Sequence, residues 1–377
     1  MISPLQGRIQ KLDFRSVDIP LNESFQISGG GSEVARILLL RWTSDSGEFG
    51  WGEAAPFPAY DGYDREMVVD SLKALTPILD DIELRDIYRI SDTLGGQIPG
   101  PLLAALEMAW FDLKGRMEGI PVYEIFGGIQ QEELKTGITV VIGDSDHAER
   151  SAMKFLKQGF RRLKIKIQGD VELDIARIEA VHRCASDAQL LLDANCGYSE
   201  VDAVRLVSEI EKRSLPVSFI EQLFDPADSE AQRSLSDLSS IPMLSAESCT
   251  RSDEVLNLIQ QGGFDGINLK TQKSGVLEAV RMQELAQKQN ARLMIGGMVE
   301  SPLSMTFSAH LATSLGGFDW IDLDTPLFMP DHPFSGGIDF KGDIVLLNNT
   351  VGHGVVPTDQ HRTFVEPDWA TVWQKGA

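Results

Sequence analysis

Eight short apolar segments recur from residue 138 onward, most of them followed by a stretch with helical periodicity, and this repeat limits the fold more than any other feature. The segments are ITVVIG (138–143), RLKIKI (162–167), QLLLDAN (189–195), VSFIEQ (217–222), PMLSAE (242–247), GINLK (266–270), RLMIGG (292–297) and WIDLD (320–324). Between them lie patterns such as ELDIARIEAVHRCA and AVRLVSEIEKR. Strand–helix units of this length build a parallel sheet, and eight of them close a barrel. After the eighth strand the chain turns irregular (TPLFMPDHPFSGG), so the last helix is expected to be missing. The fold class is therefore α/β, a (β/α)7β barrel of the TIM type. The first 125 residues read differently. Segments 7–19 and 34–42 look like strands, the turn DSGEFG leads into the Gly/Pro-rich GWGEAAPFPAYDGYD, and 101–117 has helical spacing. We expect an α+β capping domain over 1–125 with conspicuous loops at about 20–31 and 54–63. The barrel is expected over 126–325, and 326–377 as a segment packing back on the cap.

Charged residues interrupt the barrel strands where a packed core should be apolar. Lys164 and Lys166 are two residues apart and share a face. Asp193, Glu221 and Glu247 end strands three, four and five. Lys270 ends the sixth, Glu300 follows the seventh, and Asp322 and Asp324 end the eighth. Lys166 to Asp193 is 27 residues and Asp193 to Glu221 is 28, one strand–helix unit each. Alone, such a lysine is ordinarily a surface residue and such a carboxylate an N-cap. Repetition over seven consecutive strands, at the face where such barrels carry their sites, argues for a site instead. Buried charge is costly unless it is paired or liganded.

Three carboxylates on neighbouring strands offer oxygen ligands to a hard divalent cation, Mg²⁺. No cysteine cluster favours zinc, and the histidines (147, 182, 310, 332, 353 and 361) show no ligand spacing. Lys166 and Lys270 lie four strands apart in a ring of eight and face each other across the mouth, which suits proton transfer at both faces of one carbon. A lysine of ordinary pKa about 10.4 is a poor base at neutral pH. Desolvation and a neighbouring cation lower such a group toward about 7–8, and Lys164 supplies that cation one pleat away. Asp322 and Asp324, across the mouth from the metal, suit a substrate ammonium. The implied ligand carries a carboxylate, an ammonium and a carbon acid between them, the shape of a dipeptide with a free amino terminus. Thr139 on strand one, Met298 and Glu300 beyond strand seven, and Phe25 and Tyr60 on the two amino-terminal loops are further candidates to touch it.

Composition narrows the partners. Acidic residues outnumber basic ones 56 to 34, a formal net charge of -22, which disfavours nucleic acid and anionic membranes. No apolar run reaches the roughly 18 residues of a membrane span. The three cysteines form no CxxC pair, and the start lacks a signal-peptide stretch, so a cytoplasmic location is expected.

The GWGEAAP segment near residue 52, the KIK pair, the DAN, IEQ and AES strand ends, LK at 269–270 and GGMVES together resemble the enolase superfamily, in its muconate-lactonising subgroup. IDLDTPLF is similar to the Asp-x-Asp motif of dipeptide epimerases. The resemblance spans nearly the whole chain. It implies one Mg²⁺ per subunit, bound by Asp193 and Glu221, with Lys166 and Lys270 as the two acid/base catalysts and Lys164 tuning the first. It also implies that Asp322 and Asp324 hold the α-ammonium while the Cα of a dipeptide's second residue is inverted. The subgroup usually shows Asp-Glu-Ser at the fifth strand end; here Ala246 stands where that Asp is expected, and Glu247 is its replacement. The amino-terminal loops would close over the mouth as a lid and set specificity, with Gly29-Gly30-Gly31 as a hinge. Between Arg15 and Arg36 there is no Lys or Arg, and Glu23 stands in that stretch, so a hydrophobic or cationic second residue is expected rather than glutamate. Other readings stay open. An N-acylamino-acid racemase, o-succinylbenzoate synthase or muconate cycloisomerase would share the metal and lysines, but would give Asp322 and Asp324 nothing to bind. A Schiff-base aldolase would leave the carboxylates unexplained. A metabolite-binding protein with an impaired metal site is motivated by Ala246. A homo-oligomer is expected by analogy alone.

Overall fold

The computed structural model describes residues 2–358 and 369–376; of the six histidines, His361 lies outside the described residues. The amino-terminal sheet is antiparallel and built from β1 (Ile9–Ile27), β2 (Gly30–Ser44) and β3 (Phe49–Ala54). The segment expected as a loop over 20–31 is instead mostly a β-hairpin. After an irregularity between Pro20 and Phe25, pairing resumes with Phe25 opposite Ser32 and Ile27 opposite Gly30. Pro20 offers no N–H to the ladder, which accounts for an interruption there rather than an end to the strand.

Both faces of this sheet are buried. Leu38, Leu40 and Trp42 of β2 share a core with the helix Gly100–Glu118, and the alternate Ile37 and Leu39 share one with Val140, Ile165 and Phe328 of the barrel. The helix is buried from Pro101 to Gly115 and ends on Gly119 in the left-handed region, at φ 70°. It can lie this close to β3 only because Gly52 has no side chain: a Cβ there would stand 1.9 Å from the Ala105 carbonyl oxygen.

The barrel strands are β4 (Ile138–Val140), β5 (Arg162–Lys166), β6 (Gln189–Asp193), β7 (Val217–Glu221), β8 (Met243–Ser245), β9 (Gly266–Leu269), β10 (Arg292–Ile295) and β11 (Trp320–Ile321). They are parallel and neighbour one another in chain order. The ring closes where Thr136 bridges Ile321 and the Gly137 amide donates to the Ile321 carbonyl at 2.7 Å. A helix follows each of the first seven strands. After β11 a 3₁₀ turn, Thr325–Phe328, stands where an eighth helix would begin, and no α-helix follows among the described residues, as expected for a (β/α)7β barrel. Leu191, Phe219, Leu244, Met294 and Trp320 pack together as an apolar cluster beneath the mouth. The chain then returns to the cap, where β12 (Ala370–Gln374) pairs with β1, Lys11 opposite Gln374.

Candidate active site

Strand register assembles the site. Lys166 on β5 pairs with Asp193 on β6, and Asp193 with Glu221 on β7, so the three stand side by side at one level of the barrel. All three are buried, as are Lys164, Lys270, Glu300, Asp322 and Asp324. The Lys164 ammonium lies between three carboxylates, 2.9 Å from Asp193 Oδ2, 2.9 Å from Glu221 Oε2 and 2.8 Å from Asp322 Oδ2. Lys166 Nζ donates to Asp193 Oδ2 at 2.7 Å and to Asn195 Oδ1 at 2.9 Å. Lys270 Nζ stands 3.9 Å from Glu221 Oε1, which accepts a bond from Asn268 Nδ2 at 2.7 Å. Glu247 Oε1 accepts from Asn195 Nδ2 at 3.0 Å. Asn195 thus links Lys166 to Glu247, and it does so from the left-handed region at φ 41°, which asparagine tolerates better than most residues.

The charges bias one another. Burial alone would push Lys164 down, but Asp193, Asp322 and Glu221 outweigh it and hold this ammonium well above the ordinary lysine value. Burial would raise Asp193; the ammonium groups of Lys164, Lys166 and Lys270 overcome it and hold the carboxyl below its usual range. Glu247, which has less cationic company, is pushed up by burial. Asp324 is pushed up to about 7 by burial and then by the charge of Asp322.

Each amino-terminal loop brings one aromatic ring onto one lysine. Phe25 of β1 lies 5.8 Å from Lys166 Nζ, and Tyr60 of the second loop lies 4.0 Å from Lys270 Nζ. Ser28 pins the hairpin tip to the barrel by donating to the Ala194 carbonyl at 2.6 Å. The loops roof a cavity of about 1010 Å³ that opens beside Glu247, Asn195 and Cys196. Asp324 Oδ2 accepts the Thr139 backbone N–H at 2.6 Å, so Thr139 meets the site through its main chain. Met298 is buried beside the mouth, and its N–H donates to Glu300 Oε1 at 2.6 Å. Glu300 also accepts from Ser304 and is thereby satisfied within its own turn. Glu23 does not line the cavity; it pairs with His147 at 3.0 Å on the flank of the barrel.

Asp193, Glu221 and Glu247 offer the carboxylate oxygens a hard cation takes, and the site keeps buried carboxylate oxygens without partners. Glu247 Oε2 and Asp322 Oδ1 are buried without a hydrogen-bond partner, a costly state for a carboxylate oxygen. Glu221 Oε2 makes no well-directed bond either, although the Lys164 ammonium is within ion-pair distance. As arranged here, no three acidic, histidine or cysteine side chains among the described residues converge closely enough to hold a metal ion. The Lys164 ammonium lies between Asp193 and Glu221. Asn195, Asn268 and Gln222 were not singled out from the sequence. The available signal was an amide residue one or two positions beyond a charged strand end, as in Asp193-Ala194-Asn195 and Glu221-Gln222.

A (β/α)7β barrel under an α+β cap, with lysines and carboxylates ringing the C-terminal strand ends, defines the class. Residues 147–361 match the family model described as enolase C-terminal domain-like. The chain is 36% identical over 350 residues, 92% of its length and 98% of the other's, to an aromatic dipeptide epimerase of Herpetosiphon aurantiacus. A hydrophobic dipeptide epimerase of Citrifermentans bemidjiense is 34% identical over 90% of this chain and 95% of its own. Among solved structures, a dipeptide epimerase of Cytophaga hutchinsonii complexed with Mg and the dipeptide D-Ala-L-Val superposes with a TM-score of 0.89 at 26% identity, covering 97% of this chain and 99% of that one. The chain belongs to the enolase C-terminal domain-like family.

Proposed function

We propose that this chain is an isomerase that epimerises dipeptides, inverting the Cα of the second residue. The observation that carries the reading is the juxtaposition of two buried lysines, Lys166 and Lys270, on opposite sides of a carboxylate cluster, with Asp322 and Asp324 closing the ring at β11. One lysine takes the Cα proton, leaving the electron pair in a carboxylate-stabilised enolate. The other, entering protonated, returns a proton to the opposite face. Asp193, Glu221 and Glu247 would hold Mg²⁺, which when bound supplies Lewis-acid stabilisation of negative charge at the substrate carboxylate. Lys164, held protonated by its three carboxylates, keeps a fixed positive charge beside Lys166. The unpartnered Asp322 Oδ1 supports this aspartate as an acceptor for the substrate ammonium, with Asp324 beside it.

The lid carries specificity in this reading. Glu23 lies against His147 and outside the cavity, which removes the support for a cationic second residue. Phe25, Tyr60 and Met298 favour a hydrophobic one, and two relatives are named for aromatic and hydrophobic dipeptides. Residues 1–125 act as cap, 126–325 as catalytic barrel and 326–377 as a returning tail. We place the protein in the cytoplasm, supported by three free cysteines. No helix among the described residues is long and apolar enough to cross a membrane.

Proton NMR of a mixed L-Ala-L-Xaa library in D₂O with Mg²⁺ tests the reading. Wild type should lose the Cα–H signal of the second residue as the diastereomer appears, fastest for apolar side chains, and Lys270→Ala should form no diastereomer. Absence of exchange with every dipeptide would refute it.

A further inference from the structure

Glu247 lies on a short loop, Ala246–Cys249, that leaves β8 and makes no ladder bonds of its own. Two side chains hold this loop from opposite sides. From the β7 side, Gln222 Oε1 accepts the Ala246 N–H at 2.9 Å and the Ser248 N–H at 3.2 Å, and Gln222 Nε2 donates to Ser248 Oγ at 2.7 Å. From the β9 side comes Lys273, one turn beyond Lys270. Its ammonium donates to the Ala246 carbonyl at 2.7 Å, the Cys249 carbonyl at 2.8 Å and the Asn268 carbonyl at 2.8 Å. The ammonium's three N–H groups are matched by three main-chain oxygens, and among the described residues no carboxylate pairs with it.

Carbonyl dipoles offset the desolvation of a buried ammonium less fully than a carboxylate would, so its placement calls for a compensating role. The three carbonyls belong to two neighbouring strand ends. Ala246 and Cys249 bracket Glu247, while Asn268 sits two residues before Lys270 and presents its side chain to Glu221. One cation therefore ties the loop bearing Glu247 to the strand bearing Lys270.

We propose that Lys273 is a positioning residue, whose ammonium clamps the Ala246–Cys249 loop to the end of β9 and so holds Glu247 in reach of the cation that Asp193 and Glu221 would bind. The metal half of this statement rests on the functional reading above; the clamp itself does not. Without the ammonium the three carbonyls lose this shared donor, and the loop loses its tie to the end of β9, keeping the Gln222 bonds and the Asn195 bond to Glu247 on the β6–β7 side.

The test uses Lys273→Met and Lys273→Arg in the full chain, with hydrogen exchange by mass spectrometry and Mn²⁺ binding by electron paramagnetic resonance. In Lys273→Met the amides of residues 245–250 should exchange at least tenfold faster than in wild type, with other barrel strand ends unchanged. The Kd for Mn²⁺ should rise at least tenfold. Lys273→Arg, which can still donate to several carbonyls, should recover most of both effects. Wild-type exchange over 245–250 in Lys273→Met would overturn the clamp, and faster exchange with unchanged Mn²⁺ affinity would overturn its link to Glu247. If wild type itself binds no Mn²⁺, the metal reading fails while the exchange measurement still decides the clamp. If Lys273→Met does not fold, wild-type exchange and affinity in Lys273→Gln would overturn the proposal in its place.

Discussion

Cap and barrel meet at a buried acid whose titration can be followed. Glu107, in the middle of the helix Gly100–Glu118, caps the barrel helix Val276–Lys288: its Oε2 accepts the Val276 N–H and, at 3.2 Å, the Leu277 N–H. Its Oε1 has no hydrogen-bond partner. Burial pushes this carboxyl up from its ordinary 4.5 to about 7, more than the bonds from the Leu277 and Val276 N–H groups pull it down. The unfolded chain therefore releases the proton at lower pH than the fold does. Stability from this group is full below about pH 4.5 and is lost as pH rises through about 7. A shift from 4.5 to about 7, at 1.36 kcal/mol per unit, makes the total loss about 3 kcal/mol. Most of it, about 2 kcal/mol, falls between pH 5 and pH 8. Glu107→Gln keeps an oxygen acceptor for the helix terminus and removes the titration. Urea unfolding of both proteins at the two pH values measures the effect, because every other titrating group is common to both and cancels. The stability of Glu107→Gln relative to wild type should improve by about 2 kcal/mol from pH 5 to pH 8. The same difference at both pH values would refute the assignment of a raised pKa to this carboxyl.

Two further outcomes concern the site. Asp324, pushed up to about 7, is charged only above that pH, so kcat/KM for a hydrophobic dipeptide should climb as pH rises through about 7. Asp324→Asn should flatten that climb and lower kcat/KM about a hundredfold, the scale of a lost charge-assisted bond of up to about 3 kcal/mol; a loss under about threefold would remove Asp324 from ammonium binding. At the lid, a Cβ on Gly29 would stand 2.5 Å from the Ala59 carbonyl oxygen, so Gly29→Ala should pry the two loops apart. Because Gly29 is exposed, the melting temperature should stay within about 1 °C while KM rises about tenfold. An unchanged KM would show that the loops need not touch.

What the sequence made legible, and what it hid, follows from where polarity is unusual. Charges at Lys166, Asp193, Glu221 and Lys270 stood out because the strands carrying them are otherwise apolar, and β-strand parity then put Lys164 and Lys166 on one face. Register did the rest: pairing Lys166 with Asp193 and Asp193 with Glu221 needs only strands of similar length in chain order. Neutral amides gave no such contrast. Asn195, Gln222 and Asn268 are ordinary residues for a loop or strand end, yet they carry the bonds that orient Lys166, Glu221 and the Glu247 loop. Lys273 was hidden differently. Read as one lysine on a short polar helix it is surface-like, and only the fold shows its ammonium meeting the main chain just past the end of β8. Glu107 was masked by its setting, since PLLAALEMAWF reads as an apolar helix with one tolerated polar residue. The hairpin over 20–31 is not legible in the sequence because proline, asparagine and three glycines signal a loop, while pairing across Phe25 and Ser32 depends on partners that local propensity does not encode. Groups that carry formal charge against an apolar strand can thus be read from one dimension. The uncharged or satisfied groups that aim them belong to neighbouring strands and emerge only when the barrel closes.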